Sequence, residues 1–165
     1  MELRRSFDIR KFVVLSYFLL ASIYLAIGFL PKSAEATNYS SASAKLSIPS
    51  ISLNSSVAAM TLHEGVLDTP DTIVGSFSRA ENKTFLVGHR AGVFENLNQI
   101  ETGDEIIYNG TSYTVTGAEV LAKAEISMNK LLAEAEEPTL VIMTCAGDSL
   151  PGGDATHRLI ITATR

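Results

Sequence analysis

The chain has 165 residues, of which 46% are hydrophobic, a single cysteine and a formal net charge of −5. One cysteine excludes an intrachain disulfide and any zinc or iron–sulfur site built from several cysteines. The negative charge argues against a nucleic-acid-binding protein, and a mean hydropathy of +0.20 indicates a membrane segment in a chain long enough for one ordinary domain.

The first element is an apolar run over 12–30, FVVLSYFLLASIYLAIGFL, which contains no charged residue. As a helix this run reaches about 28 Å, close to the thickness of a bilayer's hydrocarbon core. Basic residues crowd the segment before it, and only Lys32 flanks its far side closely. The pattern predicts a single-pass anchor with 1–11 in the cytoplasm and the rest outside the cell. A cleaved signal peptide is the alternative, because Ala34-Glu35-Ala36 resembles a cleavage site.

The segment 31–44 is small and polar, without an apolar period, and predicts a flexible linker. A single domain is then expected over 45–165. Short strands are predicted at Ala44–Pro49, Val57–Ala59, Thr84–Gly88, Glu105–Tyr108, Ser112–Thr116, Thr139–Thr144 and Arg158–Thr164. We expect the first two to be edge pieces around Pro49 and a turn at Asn54-Ser55-Ser56.

Two of these strands carry stronger signals than the others. Asn109-Gly110 between Glu105–Tyr108 and Ser112–Thr116 is typical of a tight hairpin turn. The continuous apolar run Thr139–Thr144 suits a strand buried on both faces. Helix is scarce: Ser127–Ala135 begins with a potential serine cap, and Leu62–Leu67 and Phe94–Ile100 are long enough for a turn or two. The pattern predicts an all-β barrel or sandwich.

Two chemically reactive residues follow apolar strands directly. Cys145 comes after Thr139–Thr144 and before a glycine-containing segment, and His89 comes after Thr84–Gly88. Such positions hold a side chain on a rigid support while leaving it accessible. The alternative for Cys145 is a buried structural thiol, although an unpaired exported thiol is exposed to oxidation. His63 and His157 are interpreted as structural or surface residues.

Arg158 opens the last predicted strand, and Arg90 is its competitor for a functional role. A thiol attacks a carbonyl once deprotonated, an imidazole can take and return the proton, and a guanidinium can stabilise the oxyanion. Cys145, His89 and Arg158 therefore form a chemically sufficient set for acyl transfer. Whether they meet in space does not follow from their positions in the chain.

These residues carry a resemblance to the sortase family. Thr144-Cys145 resembles the end of its Thr-Leu-x-Thr-Cys signature, with Ile142 at the Leu position and Val141 at the first Thr position. Further segments resemble the family's in the same order: Leu46–Pro49 with Ile51-Ser52-Leu53, Leu86–Arg90, Phe94–Leu97, Gly103-Asp104 and Arg158-Leu159-Ile160. The similarity covers about Leu46 to Arg165.

The resemblance implies a sortase-type β-barrel with a few short helices, preceded by an N-terminal transmembrane helix. It implies a membrane-anchored cysteine transpeptidase that cleaves an LPxTG-like sorting signal between Thr and Gly. The acyl group would pass to an amine of a peptidoglycan precursor or a pilin. Cys145 would be the nucleophile, His89 the acid/base and Arg158 the oxyanion donor, with Thr144 in substrate binding. The segment Leu121–Pro138 would be the recognition loop, and no cofactor or metal is implied.

Two alternatives remain at the level of sequence. An exported cysteine peptidase would use the same residues and let water resolve the thioester. A tethered, non-catalytic β-domain would bind cell-wall material and leave Cys145 inert.

Overall fold

The computed structural model describes residues 44–63, 66–67, 69–70, 72–151 and 154–165. Most of these residues lie in strands: β1 (Ala44–Ile48), β2 (Leu53–Ala59), β3 (Leu62–His63), β4 (Val66–Leu67), β5 (Val74–Ala80), β6 (Lys83–Val87), β7 (Glu105–Tyr108), β8 (Thr111–Ala122), β9 (Thr139–Ser149) and β10 (Ala155–Thr164). One short helix, α1, spans Met128–Leu131, and 3₁₀ turns lie at Pro49–Ile51, Leu97–Gln99 and Lys123–Glu125.

Eight of the strands close into a barrel in the order β1-β2-β5-β6-β9-β10-β8-β7. The β2–β5 and β6–β9 pairs are parallel, and the other pairs of the barrel are antiparallel. The all-β fold predicted from the sequence is confirmed. The expectation that Ala44–Pro49 and Val57–Ala59 are edge pieces is wrong, because β1 pairs with both β2 and β7, and β2 with both β1 and β5.

The side chains of β9 show how the barrel wall is buried on two sides. Leu140 and Ile142 belong to a hydrophobic cluster that fills the barrel, whereas Val141 joins Phe85 and Ile160 in a second cluster on the outer face. Successive strand residues point to opposite faces, so an uninterrupted apolar run is required when both faces are covered. The prediction that Thr139–Thr144 is such a strand is confirmed.

The hairpin between β7 and β8 is the other strong sequence signal that the structure confirms. Tyr108 pairs with Thr111, and the intervening Asn109 and Gly110 have φ values of +50° and +80°. Positive φ at both central residues defines the turn whose twist matches a hairpin, and Asn-Gly adopts it with little strain. The hairpin sets the register with which β8 then continues to Ala122.

Two local predictions near the N-terminal end of the domain are wrong. Asn54-Ser55-Ser56 lies inside β2, paired with β1, and the chain turns only at the proline, over Pro49–Ile51, followed by Ser52 with φ +53°. The helical turn expected at Leu62–Leu67 is the β3–β4 pair, in which Leu62 lies opposite Leu67. A short apolar segment can form either a helical turn or a strand. Here the two ends of the segment pair with each other, and the segment forms two short strands.

The predicted helix Ser127–Ala135 is reduced to α1, and Ser127 makes no side-chain capping hydrogen bond. Leu131 and Leu132 pack against the outer hydrophobic cluster and hold this segment on the barrel wall. Beyond them the chain is acidic up to Pro138, and negative charge at a helix C-terminus opposes its dipole. The expected turn within Phe94–Ile100 is confirmed as the 3₁₀ turn Leu97–Gln99.

Gly88, directly after β6, lies so close to its neighbours that no side chain fits there. A Cβ there would lie 2.6 Å from Val93 Cγ1 and 2.8 Å from the ring of Phe94, which is buried in the core. We expect Gly88→Ala to lower the free energy of unfolding by about 1–3 kcal/mol, because the packed ring cannot move aside freely. Urea unfolding measures this change.

Gly117→Ala is the matched control, since a Cβ at Gly117 would meet nothing within 4 Å. Its effect on the free energy of unfolding should stay within about 0.5 kcal/mol. Equal destabilisation by the two variants would contradict a role for close packing at Gly88.

The predicted anchor over 12–30 lies outside the described residues, as does the predicted linker over 31–44 except for its last residue, Ala44, which is in β1. In the part of the chain that is described, no helix combines the length and the apolar character needed to cross a bilayer.

Candidate active site

Cys145 and Arg158 lie opposite each other on neighbouring antiparallel strands, β9 and β10. Both strands are longer than predicted: β9 continues to Ser149 and β10 begins at Ala155. Cys145 therefore lies within a strand and not at its end, and Arg158 does not open β10. Residues paired across such a ladder point to the same face, so the thiol and the guanidinium share one face of the barrel wall.

His89 is brought to the same region by the parallel pair β6 and β9. The last pair in register is Val87 with Met143, and His89 and Cys145 each follow two residues later. The imidazole is exposed, whereas the thiol of Cys145 is half-buried. The registers of β6 against β9 and of β9 against β10 thus bring the backbones of His89, Cys145 and Arg158 to one region of the barrel wall, which the sequence alone did not establish.

The chain around His89 is held by backbone hydrogen bonds. The carbonyl of His89 accepts from the amides of Gly92 and Phe94, both at 3.1 Å. Arg90 Nη1 donates to the carbonyl of Gly147 at 2.9 Å, which ties this turn to the strand that bears Cys145. Arg90 therefore binds a backbone carbonyl two residues after Cys145. Arg158, in contrast, is the arginine that lies opposite Cys145 on the neighbouring strand.

Thr144 is buried and links the same two strands from inside the barrel. Its Oγ1 donates a hydrogen bond to the carbonyl of Gly88 at 2.8 Å. This bond lies between the residues that immediately precede His89 and Cys145. It fixes the end of β6 against the middle of β9, next to His89 and Cys145.

We expect Thr144→Val to lower the free energy of unfolding by about 1–3 kcal/mol, because the change leaves a buried carbonyl without its donor while keeping the side-chain volume. Urea unfolding measures this loss. Thr162→Val is the control, since within the described residues the Thr162 hydroxyl makes no hydrogen bond. A Thr144 variant as stable as the Thr162 variant would show that the bond contributes nothing.

The guanidinium of Arg158 is held by three hydrogen bonds. Nη1 donates to the carbonyls of Ala155 at 3.0 Å and His157 at 2.9 Å, and Nη2 donates to Asp154 Oδ1 at 2.7 Å. Asp154 in turn pairs through Oδ2 with Lys123. The side chain of Arg158 is only 14% exposed, compared with 57% for Lys123.

The pKa of Asp154 is held well below its ordinary value by hydrogen bonds, first from Lys123, then from the Ala155 amide and from Arg158. A carboxyl whose pKa is lowered on folding adds stability above its unfolded pKa, near 4, and loses it only as the pH falls through the lower folded value. Asp154 is therefore an anion throughout the neutral range. Sequence reasoning missed this residue, because its partner Lys123 comes from a separate connection 31 residues earlier in the chain.

The two other histidines, His63 and His157, occupy positions different from that of His89. His157 precedes Arg158 on β10, so it points to the opposite face, and its Nδ1 lies 2.8 Å from Thr156 Oγ1. It lies in a strand and not in the loop that was expected. His63 is in β3, where a helical turn was expected.

A cleft of about 350 Å³ opens beside the thiol. Its lining includes Thr144, Cys145 and Gly147, together with Phe94 and Leu159, whereas His89 and Arg158 lie outside it. Clefts of about 460 and 590 Å³ elsewhere on the barrel contain none of the four predicted site residues. Among the described residues, no group of three or more His, Cys, Asp or Glu side chains could hold a metal ion.

The sequence matches the family model described as "Sortase domain" over residues 46–165. A comparison with curated proteins finds no match.

Solved structures resemble the barrel closely enough to compare folds. The lid mutant of sortase A from Corynebacterium diphtheriae is 22% identical, with a TM-score of 0.56 over 74% of this chain and 68% of that one. A Clostridium perfringens sortase D5 transpeptidase is 21% identical, with a TM-score of 0.56 over 73% and 76% of the two chains. The sortase C2 of pilus island 1 from group B Streptococcus is 20% identical, with a TM-score of 0.57 over 74% and 72%.

Proposed function

This chain belongs to the sortase family and is a sortase-type transpeptidase, and from that premise we propose that it cleaves an LPxTG-like sorting signal between Thr and Gly. The acyl group then passes to an amine of a peptidoglycan precursor or a pilin. The observation that carries this proposal is the pairing of Cys145 on β9 with Arg158 on β10, together with the position of His89 two residues beyond β6, the strand that pairs with β9 on its other side.

In the first half-reaction, Cys145 Sγ attacks the carbonyl carbon of the scissile peptide bond. His89 takes the thiol proton as general base and later gives it to the departing amine. The carbonyl oxygen carries negative charge in the tetrahedral intermediate, and Arg158 donates N–H groups to it. The bond to the leaving amine breaks, and a thioester between substrate and Cys145 remains.

In the second half-reaction, an amine replaces water as the attacking group. His89 removes a proton from the amine, the thioester carbon becomes tetrahedral again, and Arg158 stabilises the same oxygen. Collapse releases the Cys145 sulfur and forms the new amide. Thr144 lines the cleft beside the thiol and from this position contributes to substrate binding.

Residues 12–30 are proposed to anchor the protein in the cell membrane by a single pass, with the catalytic domain outside the cell. Support comes from the uncharged apolar run and from the basic residues that precede it. An anchored enzyme of this kind meets exported proteins and cell-wall precursors at the membrane surface. No part of the reaction requires a cofactor.

The products formed with and without an amine test this proposal. The full chain is incubated with an LPxTG-type peptide, alone or with a short glycine peptide as acceptor, and the products are identified by mass spectrometry. Cleavage after Thr followed by amine-dependent ligation is the expected result. Hydrolysis that is indifferent to the amine would favour a cysteine peptidase, and an unchanged peptide would favour a non-catalytic binding domain.

A further inference from the structure

We propose that Asp154 is a positioning residue that acts through Arg158, holding its guanidinium beside Cys145 with Lys123 as the counter-cation. The inference rests on the proposed function, because it concerns how the oxyanion donor is kept in place. Neither Asp154 nor Lys123 contacts the thiol in this arrangement, so neither is assigned a step in the chemistry.

The hydrogen bonds of Arg158 show what Asp154 does for the guanidinium. Both Nη1–H donors are used by the carbonyls of Ala155 and His157, which are part of the same strand. Asp154 Oδ1 takes one Nη2–H donor and so fixes the plane of the group. Of five donors, Nε–H and one Nη2–H have no partner among the residues described, so we assign these two to the substrate oxygen.

Both carboxylate oxygens of Asp154, and its backbone carbonyl, accept hydrogen bonds. Its Oδ1 accepts from the Ala155 amide at 2.8 Å, and its own carbonyl accepts from the Leu150 amide at 2.8 Å. Its Oδ2 pairs with Lys123, which opens the 3₁₀ turn after β8. The carboxylate therefore links the β8–β9 connection to the β9–β10 connection, which both lie at the end of the sheet where β10 begins, beyond the Cys145–Arg158 pair.

The charges in this network favour the same role. An isolated Asp154–Arg158 ion pair would neutralise the guanidinium that the oxyanion needs. Lys123 adds a second cation, so the three groups together keep one positive charge. Asp154 is ionised at neutral pH, as any aspartate of ordinary pKa is, and its hydrogen bonds lower its pKa further, so this charge balance also holds under mildly acidic conditions.

We expect Asp154→Ala to lower the rate constant for acylation of Cys145 by between about 10-fold and 10²-fold, the range that follows from displacing a catalytic group by about 1 Å. Asp154→Asn keeps an oxygen that can accept from Nη2, so it should restore part of the rate. The rate of Cys145 alkylation by iodoacetamide should be unchanged in both, because alkylation forms no oxyanion. Asp148→Asn, which removes a negative charge from an exposed residue of β9, should match the wild type.

A double-mutant cycle with Arg158→Ala then decides whether Asp154 works through Arg158. Asp154→Ala should have no further effect on acylation in the Arg158→Ala background. Independent, multiplying effects would overturn the proposal, as would equal acylation rates in the wild type and Asp154→Ala. Thermal unfolding of each variant shows whether a loss of rate comes from a loss of folding.

A readout that needs no substrate separates this proposal from the proposed function. The ¹⁵Nε–¹H signal of Arg158 should broaden or shift in Asp154→Ala relative to the wild type. An unchanged signal would overturn the tether even if the wild type is active. If the signal changes in Asp154→Ala but the wild type acylates no peptide, the proposed function is contradicted and the positioning of Arg158 by Asp154 has no role in catalysis.

Discussion

Cys145→Ala should reduce peptide cleavage by about 10⁴-fold or more, to the level of the uncatalysed background. Alanine cannot form the thioester, and neither His89 nor Arg158 can replace a covalent nucleophile. The chain contains no other cysteine, so no second thiol can compensate. Steady-state cleavage of an LPxTG-type peptide measures the loss.

The thermal stability of Cys145→Ala, compared with that of the wild type, is the control for this experiment. Cys145 is half-buried within β9 and pairs through its backbone with β10, so removing one sulfur atom should leave the barrel folded. Thermal unfolding close to that of the wild type is expected. Cleavage at more than a tenth of the wild-type rate in a folded Cys145→Ala protein would remove the thiol from the mechanism.

His89→Ala should lower kcat/KM by at least ~10²-fold, the typical cost of losing a general acid/base. The imidazole has two tasks, since it accepts the thiol proton and then protonates the departing amine. Both steps slow in the variant, whereas the turn that carries residue 89 is held by backbone hydrogen bonds that alanine keeps. The measurement is kcat/KM with the same peptide.

His157→Gln is the matched histidine control. His157 points to the face opposite Arg158, and glutamine can still meet Thr156 Oγ1. Its kcat/KM should stay close to that of the wild type. A loss in His157→Gln as large as that in His89→Ala would mean that the acid/base has been assigned to the wrong histidine.

The elements with strong local signals could be predicted from the sequence. Asn109-Gly110 specifies a turn by backbone conformation alone, and the run Thr139–Thr144 specifies a strand covered on both faces. Both are properties of a few consecutive residues. The approximate position of Cys145 followed from the run Thr139–Thr144, and that of His89 followed from the apolar strand Thr84–Gly88 that precedes it.

The elements that depend on distant pairing could not be predicted in the same way. β5 (Val74–Ala80) is rich in Gly and Ser, and it is a strand because β2 and β6 pair with it on either side. The extension of β9 beyond Cys145 has weak strand propensity and is held by β10. Tertiary pairing overrides local preference in such segments.

Pairing between distant segments also explains why the contacts within the site could not be predicted from the sequence. Arg158 could be selected as a cation near the last strand, but its pairing with Cys145 follows from the register of β9 against β10. The ion pair of Asp154 with Lys123 joins residues from separate connections. Neither relation leaves a pattern in consecutive residues.

The intact mass of the protein tests the central claim most directly, because it detects the thioester itself. The full chain is mixed with an LPxTG-type peptide, and the reaction is stopped with acid before mass measurement. The mass should increase by that of the acyl fragment ending in Thr, peptide mapping should place the adduct on Cys145, and an added amine should discharge it. Absence of an adduct from folded protein, or an adduct that persists in Cys145→Ala, would contradict the account.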